Sequence, residues 1–215
     1  RKGCFVKMIL SSVSTALVNL IVFSAIPFLW WLIRYRKKTH FFTWLGFYPP
    51  KFQSRWYVLL LFALIYYFFY SFDFMQLVDQ ATLDYLESSG SVSANAFAGL
   101  GAAAILPALI ENFIANGVAE EILFRGFLCK RLCAKLGTVP GIILQAALFA
   151  LMHNLLYLAA GMEVSLWFHC LMFCFTGAGA LLLGWLNEKL YNGSIFPSIL
   201  LHGAGNFIST MLVAF

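Results

Sequence analysis

The stretch NGVAEEILFRGFLCKRL, Asn116 to Leu132, sets two adjacent glutamates and an arginine inside a chain that is otherwise apolar enough to live in a lipid bilayer. Hydrophobic residues make up 62% of 215 positions and charged residues 11%, against about 45–50% and roughly 25% in soluble domains. A soluble fold would lack polar surface. The chain therefore reads as an integral membrane protein.

Working outward from that stretch, a bilayer core needs about 20 residues of helix. Apolar length and breakers give six spans, at residues 6–33, 56–72, 96–117, 139–160, 165–185 and 195–215. The third continues past Asn116 and Gly117 as a more polar helix to about Lys135. Pro27, Pro107 and Pro197 fall in or at the starts of helices, where neighbouring helices can satisfy the freed carbonyls. No repeat or low-complexity linker appears, so the expectation is an all-α polytopic bundle of about six helices in one domain, residues 1–215, with a cavity opening toward the cytoplasm. The chain opens at Arg1 with no start Met, which suggests a trimmed N-terminus.

The net charge is +5, yet Lys and Arg gather beside the apolar runs, as topology signals do, and a nucleic-acid partner is not expected. Residues 34–55, 125–138 and Lys189 hold eleven of the fourteen basic residues. That side is expected to be cytoplasmic. The loop at 73–95 agrees, with Asp73, Asp79, Asp84 and Glu87 and no Lys or Arg. Cys129 with Cys133 and Cys170 with Cys174 stand at i, i+4 spacing, but without a CxxC they read as packing material.

An ionisable side chain at membrane depth costs about 2.5–3.5 kcal/mol on insertion scales and is a functional hypothesis by default. At about 100° per residue, Glu121 and Arg125 are neighbours on one face and can form an ion pair, while Glu120 lies about 140° from Arg125 and is left without that partner. The doublet divides into a structural glutamate and one suited to act as a general base. Asn116, one turn earlier, is placed to steady it. His153 in FALMH, and His202 with Asn206 in HGAGN, complete the set. At about 1.5 Å per residue, Glu120 lies about 15 Å in from Lys130, His153 about 21 Å from Val139 and His202 about 10 Å from Ile195. Three helices thus bring polar side chains to comparable depth, whereas residues that merely glue helices need not agree. His40 reads as loop surface and His169 as an interfacial residue at a helix start.

The three motifs EEILFR (Glu120, Glu121, Arg125), FALMH (Phe149, His153) and HGAGN (His202, Asn206) resemble, in order, the EExxxR, FxxxH and HxxxN motifs of the CAAX protease and bacteriocin-processing (CPBP, or Abi) family. Its eukaryotic members are the CAAX prenyl endopeptidases. The resemblance covers about residues 96–211. It implies an intramembrane glutamate protease in which Glu120 and His153 activate water while His202 and Asn206 hold the oxyanion, with Glu121 and Arg125 supporting them. It also implies a metal-independent reaction with no cofactor. Glu120, His153 and His202 are nonetheless donors that zinc could use, though HExxH is absent. The implied partners are the bilayer and a membrane-associated peptide or protein, prenylated or not. The small size and aromatic content point to a bacterial plasma membrane. A non-catalytic scaffold or bacteriocin-immunity protein keeping the fold, or a small transporter using Glu120 and the histidines as a proton relay, are the competing functions; the transporter lacks the inverted repeats common in that class.

Overall fold

A backbone surrounded by lipid must satisfy its polar groups internally, and the long apolar segments are helical throughout the described residues, with no strand among them. The computed structural model describes residues 2–50, 74–89 and 92–215, with positions 57, 60, 61, 63–65 and 67 between. The helices are α1, Lys2–Arg34; α2, Phe41–Leu45; α3, Gln80–Ser88; α4, Gly101–Leu136; α5, Thr138–Ala159; α6, Leu166–Leu190; and α7, Phe196–Ala214. Five of them (α1, α4, α5, α6 and α7) are long and apolar enough to cross a membrane. The expected span at 56–72 lies largely outside the described residues.

The two ends of the bundle are chemically distinct. At the basic end Tyr48 donates its hydroxyl to the Asn192 carbonyl at 2.7 Å, Ile195 N–H donates to the Gly46 carbonyl at 3.1 Å, and Lys130 meets Glu188 at 3.0 Å. Arg131 lies over the ring of Trp44 at 4.0 Å, and Trp44 and Leu45 of α2 pack on Ile122 and Phe127 of α4. At the opposite end Asp79 caps α3, Ser165 N–H donates to Thr82 Oγ1 at 3.1 Å, and Trp167 Nε1 donates to the Leu77 carbonyl at 2.8 Å. Tyr48 thus lies at the basic end and Leu77 at the opposite end.

Two boundaries differ from the sequence expectation. The helix expected from residue 96 begins at Gly101, because Gly99 and Gly101 take φ of 67° and 54°, a left-handed turn that residues with a Cβ avoid. The fifth expected span runs on from 185 to Leu190 through a π-helical turn, Leu186–Leu190, because its polar Asn187 finds a buried partner.

The helix α4 carries the opening stretch and is the axis of the fold. It is α-helical at Ile105–Leu109, Ala119–Glu121 and Lys130–Leu136, and π-helical at Ile110–Val118 and Ile122–Cys129. Four residues carry an α-helix about 40° past a full turn, so side chains at i, i+4 and i+8 drift around its surface. The wider π turn takes up that excess and keeps Asn112, Asn116 and Glu120 on one wall. α1 is fixed to α4 by Ser12 Oγ donating to Glu111 Oε1 at 2.7 Å and Asn19 Nδ2 donating to the Ala115 carbonyl at 3.1 Å. α7 approaches α4 through two glycines: a Cβ on Gly117 would stand 3.4 Å from Gly203 Cα, and one on Gly203 would stand 2.5 Å from the Phe113 ring. Small residues are what let membrane helices approach this closely. α5 and α6 pack along their length, whereas α6 and α7 touch little.

Candidate active site

Between α4, α5, α6 and α7 lies a cavity of about 390 Å³, and Glu120, His153, His202 and Asn206 all line it. Arg125 and Asn116 also face it, with Phe149, Met172 and Phe175 supplying apolar wall. The motif residues of three separate helices therefore share one chamber.

Glu121 does not line the cavity and is heavily engaged with its neighbours. It is 0% exposed; its Oε1 lies 2.8 Å from Arg125 Nη1 and 3.1 Å from His202 Nδ1, and its Oε2 accepts from Ser198 Oγ at 2.6 Å. The Arg125 contact is close as an ion pair but is not aligned as a hydrogen bond. The guanidinium also sits over the Phe149 ring at 4.5 Å, a cation–π contact in a desolvated setting. Ser198 in turn accepts from Asn187 Nδ2 at 2.7 Å.

Glu120 is half free. Its side chain is 13% exposed, and its buried Oε2 has no hydrogen-bond partner, the nearest cation-forming group being His202 Nε2 at 3.9 Å. The 140° that an α-helix would place between Glu120 and Arg125 is closed by the π turn that follows Glu121, and both side chains line the cavity, although the ion pair of Arg125 is with Glu121. Asn116 shares the wall but makes no side-chain hydrogen bond to Glu120; the wide turn keeps the two in line without bringing them into contact.

His153 bonds the Phe149 carbonyl through Nδ1 at 3.0 Å. That bond makes Nδ1 the donor, so in the neutral ring Nε2 is the acceptor. Its ring meets that of Phe149 at a tilt of 47° with centroids 4.5 Å apart. Asn206 keeps its side chain toward the cavity while its carbonyl accepts from Thr210 Oγ1 at 2.9 Å, and Thr210 accepts from Asn112 at 3.0 Å. His40 is exposed ahead of α2, and His169 stands in the first turn of α6, bonded to Asn154 at 2.7 Å.

The sequence reading placed the mouth at the basic end. There Leu186, Tyr191, Ile195 and Ser198 are each 0% exposed. Among the described residues the accessible lining lies farther along, at Tyr157, Thr176, Asn206 and Ser209. Sequence reasoning also missed Ser198 and Asn187. Ser198 stands four residues before His202, on the same face of α7, a spacing it shares with any serine that glues helices. Among the described residues no three His, Cys, Asp or Glu side chains are grouped as metal ligands.

The described residues thus form a helical membrane bundle with one carboxylate, Glu120, and two histidines, His153 and His202, lining a single cavity. Residues 102–208, which hold every motif residue, match the family model described as type II CAAX prenyl endopeptidase Rce1-like. The chain belongs to the CAAX protease and bacteriocin-processing family, and is a multi-pass membrane protease of the CAAX type. No curated protein and no solved structure matches it.

Proposed function

We propose that the protein cleaves a peptide bond of a membrane-associated peptide or protein, with Glu120 as the general base for the attacking water. His153 shares that water through Nε2, and His202 and Asn206 donate to the oxyanion that forms at the scissile carbonyl. The observation that carries this reading is the common chamber: all four side chains line one cavity, and Glu120 keeps a carboxylate oxygen with no hydrogen-bond partner.

The division of labour follows from what each group has left to offer. Glu121 has both oxygens occupied and a cation beside it, so it is a poor proton acceptor. Glu120 is free to take a proton from water. Asn206 offers two amide hydrogens, and His202, with both nitrogens protonated, offers Nε2–H while Nδ1–H stays on Glu121. Donors fixed before the reaction need no reorganisation as charge develops, which is why such groups are effective in a dry site. The aromatic and Met wall suits an apolar flank of the substrate. In this reading no metal takes part, the basic end faces the cytoplasm of a bacterial cell, and the substrate approaches along the Thr176, Asn206 and Ser209 side.

The test is a comparison of membrane peptides from cells carrying the wild type or Glu120→Ala. Fragments present with the wild type and lost with Glu120→Ala support the reading and identify the substrate. Identical peptide profiles, with both proteins equally abundant in the membrane, would overturn it.

A further inference from the structure

Four side chains from three helices form one continuous buried chain: Asn187 on α6, Ser198 on α7, Glu121 on α4 and His202 on α7. Their exposures are 1%, 0%, 0% and 5%. Counting hydrogens fixes its direction. Asn187 can only donate through Nδ2, so Ser198 Oγ receives one hydrogen at 2.7 Å and has one of its own to give. Two acceptors are in reach, Glu121 Oε2 at 2.6 Å and the Ile195 carbonyl at 3.0 Å. The carboxylate is the closer and the charged one, and charge-assisted bonds are the stronger.

Glu121 is then held at both oxygens. Oε1 is bonded to His202 with the Arg125 charge 2.8 Å away, and Oε2 receives Ser198. Without the Ser198 hydroxyl, Oε2 would be a buried carboxylate oxygen with no donor, and the carboxylate would be free to rotate toward Arg125. His202 Nδ1 would follow or lose its acceptor. In either case the ring would turn and carry Nε2 away from its place 3.9 Å from Glu120.

We propose that Ser198 and Asn187 are positioning residues for the reaction. Acting through Glu121, they fix the plane of the His202 ring, so that Nδ1–H is held on Glu121 and Nε2 faces Glu120 and the cavity. Neither residue lines the cavity, so neither touches the substrate. This inference rests on the proposed role of His202, but its first test does not need a substrate.

That test reads the ring directly. The protein has four histidines; with the imidazoles labelled by nitrogen-15 in lipid nanodiscs, the His202 and His153 signals are assigned by their absence in His202→Gln and His153→Gln. Ser198→Ala should move the two His202 nitrogen signals and leave those of His153 in place, and Ser198→Thr, which keeps the hydroxyl, should restore them. Asn187→Leu should move them in the same sense by less, and decides the matter if Ser198→Ala does not fold. Unchanged His202 signals in the folded variants would overturn the proposal. In cells, Ser198→Ala should slow the appearance of Glu120-dependent fragments about ten- to a hundredfold, the range expected for one hydrogen bond to a charged group, with Ser198→Thr restoring the rate. If cells yield no Glu120-dependent fragments, the proteolytic reading fails while the nitrogen signals still decide the positioning role.

Discussion

His202 bridges the two adjacent glutamates: its Nδ1 lies 3.1 Å from Glu121 Oε1 and its Nε2 lies 3.9 Å from Glu120 Oε2. One imidazole is thereby tied to a fully engaged carboxylate on one side and faces an unengaged one on the other. The two glutamates differ in their surroundings because His202, Arg125 and Ser198 take up Glu121, whereas Glu120 Oε2 has no hydrogen-bond partner.

The first prediction separates them by stability. Glu121→Gln strands the buried Arg125 beside a neutral partner, and breaking a buried pair by removing one member costs about 3–5 kcal/mol. Glu120→Gln removes no ion pair within hydrogen-bond distance and should leave the thermal unfolding of detergent-solubilised protein close to wild type while abolishing turnover. Equal loss of melting temperature in the two variants would count against the division.

A second prediction concerns how closely α4 and α7 meet. Gly203→Ala places a Cβ 2.5 Å from the Phe113 ring, whereas Gly117→Ala meets the Asn112 carbonyl at 3.1 Å. Overpacking of this kind costs about 1–3 kcal/mol, and relief by moving α7 outward would separate His202 from Glu120. Gly203→Ala should therefore lower activity more than Gly117→Ala at matched expression. Measured rates in the opposite order would mean that the crossing adjusts without shifting the site.

Much of this site was legible in the sequence because helical spacing and depth are properties of the chain alone. Glu121 with Arg125, and His202 with Asn206, stand at i, i+4, and such neighbours share a face in nearly any helix. The Ser198 to Glu121 bond joins residues 77 apart, and nothing local distinguishes Ser198 from a serine that glues helices. The π turns of α4 were equally silent, since no residue type marks the change of pitch within Ile110–Val118 or Ile122–Cys129. The full burial of Leu186, Tyr191 and Ile195 at the basic end is likewise a matter of packing between helices.

The third prediction is a pH effect on the side opposite the basic end. Asp79 caps α3; a hydrogen bond from the Ser165 side chain and another from the Thr82 amide hold its carboxyl below the usual carboxylate range. A carboxyl whose pKa is lower in the folded state contributes stability that is present above the unfolded value of about 3.9 and is lost as pH falls through the folded value. Hydrogen exchange of the α3 amides should accelerate on acidification through that window relative to those of α5. Asp79→Asn should remove the difference, and α3 exchange that kept its pH dependence in Asp79→Asn would place the titrating group elsewhere.

The last prediction sets the oxyanion donors against a metal. Glu120, His153 and His202 are the donor types a catalytic zinc uses, and zinc would act by lowering the pKa of its bound water. In the proposed mechanism Glu120 does that work as a base, and turnover should survive prolonged treatment with a strong chelator. Asn206, whose amide is no zinc ligand in such sites, should matter for charge stabilisation alone: removing one oxyanion donor typically costs about 10²–10³ in rate. Asn206→Ala should lower kcat by that order and change KM little, because the donor acts on a charge absent from the bound substrate. The measurement is cleavage of a peptide substrate by purified protein, before and after chelation and with zinc restored. Activity that disappears with chelator and returns with zinc would recast Glu120, His153 and His202 as ligands, and the base would then have to be sought in the metal-bound water.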